Sequence, residues 1–133
     1  MQVVIFKVNE EQFAVEASSV ESINDMMEIT NVPKSAPYIK GLINLRGNII
    51  SLLDINLLLD IEKGTVDQEN IIILNLKDES VGVTVDQVDE VLEIELNLIE
   101  KIETDKDKAY IKGVINFKDR IVTLIDISKL IEN

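Results

Sequence analysis

The 22 residues from Tyr38 to Leu59, YIKGLINLRGNIISLLDINLLL, return 72 positions later as Tyr110–Ile131, YIKGVINFKDRIVTLIDISKLI. Eleven of the aligned positions are identical, and most of the others exchange one apolar or one polar residue for another. Such a chain carries the same local instructions twice. With a shift of 68 the correspondence extends upstream: strand Gln2–Val8, turn 9–12 and strand Phe13–Val15 match strand Ile71–Leu76, turn 77–80 and strand Val81–Val85. Val20 and Ile23 then match Val88 and Val91, and four extra residues precede Tyr110 in the second copy. Two copies specify a pseudo-twofold pair, whereas a solenoid needs at least about three.

Within the repeat, a strand over Leu42–Arg46 meets Gly47-Asn48, a two-residue connection suited to a primed turn, and a second strand runs over Ile49–Ile55. The second copy turns at Asp119-Arg120 without glycine, which predicts a different turn geometry. Both Ile49–Ile55 and Ile121–Ile127 carry apolar residues on both parities. A half-buried strand would alternate apolar with polar, so both faces are expected to be covered, as in two small barrels packed together. Asn56 and Ser128 stand at N-cap positions for short helices. Ser18-Ser19 is read as capping a helical turn that carries Val20 and Ile23 on one side. Val32–Pro37 and Lys101–Ala109 read as loops, 60–70 as an exposed linker, and Asp126–Asn133 as a short terminal helix.

Composition bounds the chemistry. At 133 residues the chain fits one compact unit that buries roughly two-thirds of its extended surface. Its apolar content of 46% is rich in Ile, Leu and Val, which favours strands. No apolar run is long enough to span a bilayer, and the expected location is the cytoplasm, with no direct membrane insertion. Twenty-five acidic residues against 13 basic ones give a net charge of −12, which repels nucleic-acid backbones, and no aromatic stacking platform is present.

Without His or Cys, nucleophilic and imidazole schemes are excluded, no metal or other cofactor is expected, and only carboxylates remain for acid-base work. The repeated Asp54 and Asp126 could form an acid pair, one from each half, but are better read as acceptors for backbone amides near their strand ends. Lys40-Gly41 lacks the glycine spacing of a phosphate loop, and Gly41 and Gly113 mark a bulge or a close backbone approach. Arg46, one of two arginines, sits at the tip of a hairpin where Lys118 is its counterpart. It is either a solvated turn residue or a guanidinium that clamps a partner's carboxylate or carbonyl. Val20 and Ile23 are either core residues or the apolar edge of a groove.

Several of these residues carry a family likeness. The strand pair ending Phe13-Ala-Val15, the Val20–Ile23 segment, Ile39-Lys-Gly-Leu-Ile-Asn-Leu-Arg-Gly47, Leu52-Leu-Asp-Ile55 and Val81-Gly-Val-Thr-Val-Asp86 resemble the CheW-like domain family. That domain is found in bacterial chemotaxis adaptors, in CheV and in the regulatory region of the histidine kinase CheA. The resemblance implies an all-β fold of two five-stranded SH3-like barrels about a pseudo-twofold, with short connecting helices and a short C-terminal helix. It implies that Met1–Val8 crosses to the second barrel and Ile71–Leu76 completes the first, with subdomains near 12–77 and 1–11 plus 78–133. It further implies a non-enzymatic adaptor that bridges chemoreceptor tips and CheA, is monomeric in isolation and joins rings in arrays. Val20, Gly41 and Arg46 match positions of receptor or kinase contact, and Ile71 and Gly82 match positions bordering the groove for the receptor's helical hairpin. Ser51 stands where a proline is common and Asn56 where an arginine is usual, which removes one charged contact. A small-barrel enzyme or nucleic-acid module, or an adaptor for another receptor–kinase pathway, is the competing reading.

Overall fold

The computed structural model describes residues 1–103 and 105–131. Eleven strands and two short helices follow in order: β1 (Gln2–Val8), β2 (Glu11–Glu16), β3 (Val20–Asp25), β4 (Ile39–Leu45), β5 (Asn48–Asp54), α1 (Ile55–Leu59), β6 (Asn70–Leu76), β7 (Glu79–Val85), β8 (Gln87–Glu93), β9 (Ile99–Glu100), β10 (Ile111–Asn116), β11 (Ile121–Ile125) and α2 (Ile127–Ile131). They form two mixed sheets, ordered β8-β1-β2-β11-β10-β9 and β3-β6-β7-β5-β4.

The sheets match strand for strand, but each takes its central hairpin from the other repeat. β1–β2 is inserted between β8 and β11, and β6–β7 between β3 and β5. The parallel contacts correspond too: Leu124 faces Ala14 in one sheet and Leu52 faces Gly82 in the other. Met1–Val8 therefore lies with the second half and Ile71–Leu76 with the first. The boundaries expected at 11/12 and 77/78 would cut through both hairpins, whereas hydrogen bonding keeps each hairpin whole. One sheet has a sixth strand because Ile99 and Glu100 pair with β10; the matching place in the other holds a lone Thr30–Leu42 bridge.

Side-chain parity explains why β5 and β11 are apolar on both faces. Ile50 and Leu52 fill a core inside one sheet with Ile43, Ile71 and Ile73, while Val122 and Leu124 fill the other with Val3, Ile5 and Ile115. Leu53, Ile55, Ile125 and Ile127 point the opposite way, into a central core shared with Phe6, Phe13, Ile72 and Val83. Two small cores thus flank a larger one that joins the halves, and burial of these side chains against water drives the pairing.

Three local expectations are corrected. Val20–Ile23 is not a helical turn: a single 3₁₀ turn at Ala17–Ser19 leads into β3, which pairs with β6 with a bulge between Val20 and Ser22. The open edge of β6 offers this β-branched segment a ladder that a one-turn helix could not match. Val20 consequently packs on the central core while Ile23 faces outward, 38% exposed. The β4–β5 turn is Arg46-Gly47 rather than Gly47-Asn48, since Leu45 pairs with Asn48. Finally, the α1 cap is Asp54, whose Oδ1 accepts from the amides of Asn56 and Leu57 at 3.0 and 3.3 Å. Asp126 Oδ1 likewise accepts from Ser128 N at 3.0 Å and from its hydroxyl. A carboxylate one residue before the helix reaches the second and third amides, a geometry that leaves Asn56 inside α1 and buried.

The turn of the second repeat does differ. It spans four residues, closed by Phe117 N donating to Arg120 O at 2.9 Å. Of the terminal helix read at Asp126–Asn133, α2 covers Ile127–Ile131, and residues 132–133 lie outside the described residues.

Candidate functional site

Arg46 sits at the first central position of a type I′ turn, with φ 54° at Arg46 and 87° at Gly47. Gly47 N donates to Asn44 Oδ1 at 2.9 Å, which stiffens the tip. A left-handed φ suits Gly or Asn, and a long side chain there is disfavoured. Among the described residues the guanidinium has neither an ion pair nor a hydrogen bond.

Beneath the tip lies a hollow of about 480 Å³ lined by Glu21, Leu45, Arg46, Ile49, Glu79 and neighbouring residues. Ser80 Oγ donates to Glu21 Oε1 at 2.6 Å and braces its floor. Ile49 is 64% exposed, so the site offers an apolar contact beside one cation and two carboxylates. Sequence reasoning had missed Ile49, because its strand was expected to be covered along its whole length. Ile49 pairs with Asn44 of β4, but the ladder between β5 and β7 begins only at Ser51, so this end of the hairpin is left uncovered.

The related place in the other half is a hollow of about 520 Å³ that includes Glu10, Glu11, Arg120 and Ile121. Ile121 is as exposed as Ile49. Its arginine is committed, however. Arg120 pairs with Glu90 and lies over the Phe117 ring at 5.1 Å. The hydrogen bond to Glu90 holds the guanidinium pKa above its usual value, against a smaller opposing effect of burial.

The six candidate contact residues do not converge on one patch. Arg46 and Ile23 are at the surface and Val20 is half-buried. Gly41 is buried at a β4 bulge, where a Cβ would stand 2.4 Å from Thr30 O. Gly113 repeats this at 2.6 Å from Glu100 O, so both glycines mark the close backbone approach read from the sequence. Ile71 and Gly82 meet inside the small core: a Cβ on Gly82 would lie 3.0 Å from Leu52 and 3.3 Å from Ile71. Neither reaches solvent, so neither presents a side chain to a partner.

Lys40 Nζ donates to Gln68 Oε1 at 2.7 Å, Gln68 Nε2 to Asn56 Oδ1 at 3.0 Å, and Asn56 Nδ2 to Glu62 O at 3.3 Å. This chain of bonds ties the 60–69 linker to β4 and α1. Burial, and then the charge of Lys63, hold the Lys40 ammonium below the ordinary lysine value, with Asp54 pulling the other way. Lys112 instead pairs with Glu16. Asp54 and Asp126 are both engaged as amide acceptors, which accounts for their recurrence without catalysis. No cluster of three or more potential metal ligands occurs among the described residues, and no helix there is long and apolar enough to cross a membrane.

Comparison with known proteins agrees with this architecture. The profile of the CheW-like domain matches residues 2–133. The chain is 33% identical to a chemotaxis protein CheW of Thermotoga maritima, over 98% of this chain and 87% of that protein. It is 29% identical to a chemotaxis protein CheW of Bacillus subtilis, over 98% and 86%. The crystal structure of a scaffolding protein, TtCheW from Thermoanaerobacter tengcongensis, superposes with a TM-score of 0.89 at 30% identity and covers 99% of this chain and 92% of that one.

Proposed function

The chain belongs to the CheW-like domain family, and we infer that it is a scaffold without catalytic chemistry, coupling chemoreceptors to the histidine kinase CheA in chemotaxis signalling. It works in the cytoplasm at the receptor tips, as one domain over residues 1–133 whose two subdomains follow sheet membership. Its partners are the kinase's regulatory domain and the helical hairpin of the receptor. In isolation it is a monomer, and in arrays it joins rings with the kinase domain.

The observation that carries this reading is Arg46. The other arginine is paired, whereas Arg46 has no partner among the described residues and is held at a backbone angle that favours a smaller residue. Local strain of this kind persists where the side chain is used. A guanidinium beside the exposed Ile49 provides a bidentate donor next to an apolar anchor, the pairing that dominates protein interfaces.

Binding to a receptor-tip fragment and to the kinase regulatory domain, measured by calorimetry, tests the reading. Arg46→Glu is expected to weaken at least one partner about tenfold or more, the loss of a charge-assisted hydrogen bond, while Tm barely moves. Arg46→Asn should weaken binding similarly yet raise stability by about 0.5–1 kcal/mol, because asparagine tolerates the left-handed turn. An equal loss of stability and affinity in Arg46→Glu would make Arg46 a structural residue. Failure of both partners to bind, together with a rise in Tm on adding a small metabolite or an oligonucleotide, would replace the adaptor with a ligand-binding module.

A further inference from the structure

We propose that the apolar trough where α1 meets α2 is a second docking face, and that its occupant is an amphipathic helix of a partner protein with carboxylates beside its apolar stripe. The trough has a volume of about 740 Å³ and is lined by Tyr38, Leu57 and Leu58 from the first repeat and by Lys106, Tyr110 and Leu130 from the second. Tyr38 and Tyr110, and Leu58 and Leu130, are repeat equivalents, so the trough straddles the junction of the halves. The correspondence breaks at one informative position. Where α1 presents Leu57, 56% exposed, α2 presents Lys129 in its last turn.

Charge selects the occupant. Four other hollows are each lined by carboxylates: Glu16 with Asp126, Glu10 with Glu11, Glu21 with Glu79, and Glu69 with Asp86. This trough has none among the described residues and carries Lys106 instead. In a chain of net charge −12 such a face accepts an acidic partner that the remaining surface repels. Leu57, Leu58 and the two tyrosines give it an apolar lining with one well-exposed leucine, which suits the anchors of a helix laid in a groove. The trough shares no lining residue with the Arg46 hollow, so the proposal stands apart from the adaptor reading.

The test uses a fluorescein-labelled helical peptide with leucines at i, i+3, i+4 and i+7 flanked by glutamates, and a twin with lysines in place of the glutamates. Fluorescence anisotropy should show the acidic peptide binding at least about tenfold tighter than its twin, with the difference shrinking as salt rises. Leu57→Glu and Lys106→Glu should each weaken the acidic peptide about tenfold, Lys106→Glu should improve binding of the lysine twin, and Arg46→Glu should change neither. Both variants alter exposed positions, and an unchanged Tm verifies their folding. Equal binding of the two peptides, or indifference to Leu57→Glu, overturns the proposal. So does a concentration-dependent dimer in sedimentation that Leu57→Glu dissolves, since a second copy would then be the occupant.

Discussion

Replacing Gly41 by alanine measures how much of the fold depends on the backbone approach at the β4 bulge. The new Cβ would stand 2.4 Å from Thr30 O and 2.7 Å from Ile29 Cγ2, inside the contact distance that real side chains keep. Thr30 O accepts from Leu42 N at 2.8 Å, and Thr30 N donates back to Leu42 O at 2.8 Å. The carbonyl can withdraw only by breaking this reciprocal bridge. Overpacking costs about 1–3 kcal/mol, and loosening one bridge hydrogen bond adds roughly 1 kcal/mol. The sum, about 2–4 kcal/mol, corresponds to a fall in Tm of about 10 °C for a domain of this size. Gly113→Ala meets Glu100 O at 2.6 Å and Ile99 Cγ2 at 3.1 Å, beside a two-residue strand that can shift, and should lose about half as much. Urea and thermal unfolding followed by circular dichroism give both numbers, with an unchanged m-value showing that the same surface is exposed. Below its Tm, Gly41→Ala should still bind partners. A variant with wild-type stability and no partner binding would refute the close-approach argument and make Gly41 a contact residue.

Asp54→Ala should cost about 1–2 kcal/mol, because two α1 amides lose their acceptor, while Asp54→Asn keeps an acceptor oxygen and loses much less; equal losses in urea denaturation would shift the weight from the cap to the charge. Lys40 has a folded pKa below the reference 10.5, so between the two values the unfolded chain binds more protons and stability rises with pH. The penalty is fully present below the folded value, and the unfolding free energy of wild type relative to Lys40→Met should increase as pH rises through that value towards 10.5. A flat difference would show that the ammonium is not desolvated. Arg120→Gln should destabilise by about 1 kcal/mol through loss of the Glu90 and Phe117 contacts yet leave binding at the Arg46 hollow intact, as paired calorimetry and melting curves can show.

Much of this architecture is legible in the chain because the repeat and the double parity of β5 are local facts. Leu52 and Leu53 point to different cores, and the sequence shows that both faces are apolar before any partner sheet is known. Val20 and Ile23 mislead because a spacing of three puts both on one side of a helical turn but on opposite faces of a strand, and it is the open edge of β6, distant in sequence, that selects the strand. The turn was placed one residue late because Gly47-Asn48 has the composition that a primed turn favours, whereas Arg46 occupies a position where arginine is unfavourable. Exposure of Ile49 is hidden for a related reason: apolar patterning identifies buried strands but not where the ladder to one neighbour stops. Which hairpin pairs with which half is written in no local pattern: family resemblance implies the crossing of Met1–Val8 and the place of Ile71–Leu76, but not that β2 and β7 go with them.

That exchange ties the two halves into a single cooperative object. A chain severed within the 60–69 loop would yield two fragments, each having surrendered the hairpin that the other needs, and neither left with a contiguous sheet. Only by complementing one another could such pieces restore both sheets, so partial unfolding of one half exposes the other. A chain one repeat long could make these sheets only by trading hairpins with a second copy. Joining two such copies turns an association that depends on concentration into an intramolecular one.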